Sequence, residues 1–168
     1  MAESMTGQIA EQAFDTPGLR RALGARAHVG VILEHRDGLV LVDTAQGLRL
    51  PAGIKLEPAS DPASLRGVLA KLGLNAHLDF LFAVFEASDE REPGVHIYYR
   101  GRVIHTGSPW FDDSIRIVPL GQIPWHEIAD AAVRSMLERY VRERRQDAYG
   151  IYVGDAEAGT VQTLALAH

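Results

Sequence analysis

Two apolar runs at 27–34 and 39–44, rich in valine, isoleucine and leucine, flank the polar tetrapeptide His35-Arg36-Asp37-Gly38. Runs of that kind on either side of a polar segment ending in glycine predict a β-hairpin. Residues 48–50 predict a third short strand leading into Pro51-Ala52-Gly53, and 53–61 predict a loop. Asp61-Pro62 then opens a helix whose Leu65, Val68, Leu69 and Leu72 recur at helical spacing until Gly73 ends it.

Farther along, residues 76–86 and 95–105 predict two long strands joined by the acidic turn 88–94. In the second strand Val95, Ile97, Tyr99 and Val103 alternate with His96, Tyr98, Arg100 and Arg102, which predicts one apolar face and one wet, basic face. A strand over 114–118 precedes Ile123-Pro124-Trp125, from which a long helix is expected to run to Arg145. Its stripe of Ile128, Val133, Met136, Leu137, Tyr140 and Val141 faces the core, while Glu138 and Arg142 can pair on the opposite side. Arg142, Arg144 and Arg145 sit where the helix dipole favours cations, a structural account of that basic run.

Residues 149–153 and 160–166 predict a last hairpin, and at the other end Asp15-Thr16-Pro17 predicts a short helix over 17–24. The organisation expected is an N-terminal extension, 1–26, followed by a single domain, 27–168. Hairpin, loop and helix, long strands and a C-terminal helix in that order make an α+β sandwich.

Composition narrows the function. With 168 residues, 46% hydrophobic and 23% charged, the chain is one ordinary folded domain that buries roughly two thirds of its unfolded surface. The absence of cysteine excludes disulfides, thiolate metal sites and a cysteine nucleophile. The first residues, MAESMTGQIAEQAFDTPG, lack the apolar stretch of an export signal, and no run is long enough for a membrane span, so a cytoplasmic location and no membrane partner are expected. A net charge of −5 disfavours duplex nucleic acid and leaves small phosphates to a local basic pocket. Of the 17 bases only Lys55 and Lys71 are lysines; the base composition of a genome accounts for this as well as phosphate recognition does. The histidines at 28, 35, 77, 96, 105, 126 and 168 show no zinc-type spacing, and neither a G-x-S-x-G elbow nor a Walker A loop is present.

The stretch Leu50-Pro51-Ala52-Gly53-Ile54-Lys55-Leu56-Glu57-Pro58, with Leu65-Arg66-Gly67-Val68-Leu69-Ala70-Lys71-Leu72-Gly73-Leu74 after it, resembles the loop-helix-loop box of the Nudix hydrolases. The order of elements agrees with that family over 27–145, and Ile123-Pro124-Trp125 before a long helix looks like the end of many Nudix domains. The resemblance implies an α/β/α sandwich around a mixed sheet, with a box helix and a long C-terminal helix. It also marks departures. Arg66 takes the place of the box arginine, but Gly67, Ala70 and Lys71 stand where the family has its three helix glutamates. The spacing from Gly53 to Arg66 is shorter than the family pattern, so Glu57 has no secure equivalence to the first box glutamate.

Splitting a diphosphate requires neutralising charge that grows on its oxygens, a task usually given to Mg²⁺ or Mn²⁺ held by carboxylates. Between Pro62 and Leu74 there are no acids and two bases, Arg66 and Lys71. Losing about 4 kcal/mol of interaction there would lower cation occupancy roughly a thousandfold. The leading expectation is therefore a Nudix-fold protein without the standard metal-dependent diphosphatase site, with no metal and no cofactor, that binds a small anionic or phosphorylated ligand such as a nucleotide, or carries out a divergent, non-hydrolytic reaction. Arg49, Lys55, Arg66, Lys71, His96, Tyr98 and Arg100 are its ligand-binding candidates. For Lys71 and Arg66 the bland readings are a solvent-facing lysine and a tie from helix to loop. For the polar positions of the second long strand the bland reading is an exposed sheet face.

A second expectation is an active hydrolase of a nucleoside diphosphate linked to another moiety, dependent on Mg²⁺, with Glu57 and Glu86 as catalytic carboxylates in a relocated metal site and Asp89 and Glu90 as further candidates. A third is an interaction or regulatory module, in which the basic strand face or the end of the last helix meets a protein partner. The composition leaves room for a homodimer.

Overall fold

Strand β1 (Arg26–His35) takes partners along both edges, and its pairing sets the architecture. The structure is a computed structural model that describes residues 26–36, 38–55, 60–87, 94–104, 111–146, 150–155 and 160–166. After β1 come β2 (Gly38–Thr44), β3 (Gly47–Arg49), β4 (Ala52–Ile54), α1 (Asp61–Lys71), β5 (Ala76–Ala87), β6 (Gly94–Val103) and β7 (Ile115–Pro119). Two 3₁₀ turns, Leu120–Gln122 and Trp125–Glu127, then lead to α2 (Ala131–Gln146), β8 (Gly150–Asp155) and β9 (Thr160–Leu166). The short helix expected at 17–24 and the acidic turn lie outside the described residues.

The strands form one mixed sheet in the order β3-β2-β1-β6-β5-β8-β9, with β4 paired to β1 and β7 to β2. On one edge β1 runs parallel to β6, from Arg26 opposite Gly94 to Glu34 opposite Arg102. Its other edge is shared: His28–Gly30 pair antiparallel with β4, and Glu34 and His35 pair with the start of β2 across the expected hairpin. Strand β2 then diverges from β1 and pairs with β7.

Alternation along β1 sorts side chains into two layers. Val29, Val31 and Leu33 pack with Leu65 and Leu69 of α1. Ile32, from the opposite face, packs with Phe82 and with Met136, Leu137 and Tyr140 of α2. The helices therefore cover opposite faces of the sheet, as the α/β/α arrangement requires. Ser60 caps α1, and Gly73, at a φ of 70°, ends it where the sequence predicts.

Three expectations are corrected. The last helix begins at Ala131, not near Trp125, because Oδ1 of Asp130 accepts the N–H groups of Ala132 at 2.9 Å and Val133 at 3.1 Å. Ile128 is buried all the same, from the connection and not from the helix. The polar face of β6 is wet only at one end: Tyr98 packs with residues of α2 and is 6% exposed and Arg100 is largely covered, while Arg102 stays exposed. Arg144 does more than answer the helix dipole, because it reaches Glu34 on β1. Among the described residues no helix is long and apolar enough to cross a membrane.

Candidate functional site

Helix α1 turns Leu65 and Leu69 into the core and leaves Arg66, Gly67, Ala70 and Lys71 exposed. At 3.6 residues per turn those four positions occupy one arc of about 140° on the outward side. The positions that resemble the family's metal-binding glutamates thus share one open face. A Cβ built on Gly67 meets nothing within 4 Å, so the missing acid there is not a matter of space. The donor set consists of a guanidinium, an ammonium and two positions without polar side chains, which does not fit a divalent cation. No cluster of three or more acids and histidines able to hold a metal occurs among the described residues.

The loop that enters α1 carries a different arrangement. Gly53 on β4 lies directly under the helix: a Cβ there would sit 2.5 Å from Cγ2 of Val68. Just beyond β4, the N–H of Lys55 donates to the carbonyl of Ala27 at 2.8 Å, which ties the start of the loop to β1. The Lys55 ammonium stands 3.1 Å from Oδ1 of Asp61, with the two side chains 25% and 17% exposed. Oδ2 of the same carboxylate accepts the Tyr99 hydroxyl at 3.0 Å. Burial raises the Tyr99 phenol above its ordinary range, and the Asp61 charge adds to the shift. Asp61 therefore joins the loop, the first turn of α1 and the central strand β6.

On the opposite face of the sheet lie the other strand candidates. His96 stacks on His28, its register partner on β1, with ring centroids 4.6 Å apart and planes 18° from parallel. Nε2 of His28 is screened from water and meets no hydrogen-bond partner. Tyr98 follows under the start of α2; burial, then the charge of Asp130, raises its phenol, and Arg49 opposes the shift. Arg100 points into a charged cluster, with Nε 3.3 Å from the Tyr140 hydroxyl and its other nitrogens on Asp79 and Glu34. Burial works against its charged form, but Tyr140 and Asp79 outweigh this and hold the guanidinium firmly protonated.

The sequence candidates thus divide. Lys55, Arg66 and Lys71 belong to the α1 side, while His96, Tyr98 and Arg100 belong to the α2 side, with Arg49 exposed on β3 and close enough for its charge to act on Tyr98. Glu86 sits on β5 between Val95 of β6 and Asp155 of β8. Glu57, Asp89 and Glu90 fall outside the described residues. Asp61 and His28 went unrecognised in the sequence. Asp61 reads there as an ordinary helix-opening residue, and only the parallel register of β1 with β6 brings the two histidines together.

No family model matches the chain. A protein of Rhizobium meliloti (strain 1021) named "Probable flavin reductase" is 28% identical over 145 residues, covering 86% of this chain and 44% of that protein. The chain therefore spans less than half the length of that relative. Among solved structures, a NUDIX hydrolase from Nitrosomonas europaea superposes with a TM-score of 0.68 at 19% identity over 78% of each chain. An ADP-ribose pyrophosphatase from Streptococcus suis gives 0.56 at 12% identity, over 78% of this chain and 98% of that one. An Ap4A hydrolase from C. elegans gives 0.55 at 12%, over 70% and 97%.

Proposed function

We propose that this chain, which has the Nudix fold, is a cytoplasmic domain that binds a small phosphorylated ligand without a divalent metal and lacks the diphosphatase chemistry of the fold's hydrolases. The observation that carries the reading is the outward face of α1, where Arg66 and Lys71 flank Gly67 and Ala70. A face of that composition attracts the anion that a carboxylate set would reach only through Mg²⁺. The relative named as a flavin reductase makes a flavin nucleotide a first ligand to try, and the hydrolase neighbours add ADP-ribose and dinucleotides.

Calorimetry with Mg²⁺ and Mn²⁺, followed by titration of FMN, ADP-ribose and Ap4A in the presence of EDTA, tests the proposal. Saturable, EDTA-insensitive binding of one of these ligands and no detectable turnover are expected. Mg²⁺-stimulated release of phosphate or nucleotide would overturn it.

A further inference from the structure

We draw no further inference here: the strongest candidate, the stacked side-chain pair of His28 on β1 and His96 on β6, carries none, because Nε2 of His28 is screened from water and nothing in the structure shows what group or ligand would meet it.

Discussion

Arg144, in the last turn of α2, places its Nε 2.6 Å from Oε1 of Glu34 on β1. The same Glu34 accepts the hydroxyl of Tyr140, one turn earlier on the helix, and its Oε2 lies 3.6 Å from Arg100 on β6. The Glu34 side chain is 6% exposed. A carboxylate this deep is tolerated because several donors meet it, and the donors in turn depend on it.

Replacing Glu34 with alanine therefore removes the partner of two arginines and a buried tyrosine at once. The expected loss is about 3–5 kcal/mol, the range for a broken buried ion pair. Arg144→Ala should cost less, since that side chain is a third exposed and its removal leaves Glu34 with Tyr140 and Arg100. Urea denaturation of both variants checks the order.

Asp79 gives the fold an acid limit. Burial alone would raise its carboxyl, but Arg102 and Arg100 outweigh burial and hold it below its ordinary value of 3.8. A folded-state value below the unfolded one means that the unfolded chain binds more protons in this range, so the contribution is complete at neutral pH and disappears as pH falls through the lowered value. Unfolding free energies measured from pH 6 down to pH 3 should decline in the wild type. In Asp79→Asn stability should start lower at pH 6 and decline less steeply.

The open space beside Gly67 makes two predictions. Gly67→Ala should stabilise the protein by roughly 0.5–1 kcal/mol, because an exposed helical glycine is replaced by the best helix former and nothing stands in the way. The combined Gly67→Glu, Ala70→Glu and Lys71→Glu variant places three carboxylates on the outward arc and should bind Mn²⁺ more tightly than the wild type does, read by the loss of the free-ion electron paramagnetic resonance signal in parallel titrations of the two proteins.

Under the same helix the opposite holds. Gly53→Ala brings a methyl group into Val68 and should destabilise by about 1–3 kcal/mol, the usual cost of overpacking. Trimming the neighbour in Gly53→Ala/Val68→Ala should recover part of the loss. A double-mutant cycle in thermal denaturation measures the coupling.

Local signals made much of this fold legible. The apolar runs either side of His35–Gly38 gave the β1–β2 hairpin, and Asp61-Pro62 with Gly73 bounded α1 closely. Alternation in β6 separated its two sets of residues correctly, and the structure shows which helix each set meets, Tyr99 on the α1 side and Tyr98 on the α2 side. What periodicity could not supply was the cover: polar residues on one face read as solvated until the neighbouring strands bring Glu34 and Asp79 to the Arg100 guanidinium and the last helix adds the Tyr140 hydroxyl. The start of α2 was misplaced because Ile128 has the burial of a helical stripe residue, and only the Asp130 cap marks the true first turn. Of the candidate site, Lys55 was named from its position in the box, but Asp61 and Tyr99, 38 positions apart, meet only through tertiary folding.

Tyr98 and Tyr99, consecutive on β6, send their phenols to opposite sides of one strand, the first beneath α2 and the second to Asp61 at the foot of α1. The strand thus acts as a common partition wall with a fixture on each side. Tilting it to slacken the grip on Asp61 would shift the seat of the other ring, so a disturbance at the loop that carries Lys55 should be audible in the neighbouring room, as a change in the aromatic signals of Tyr98.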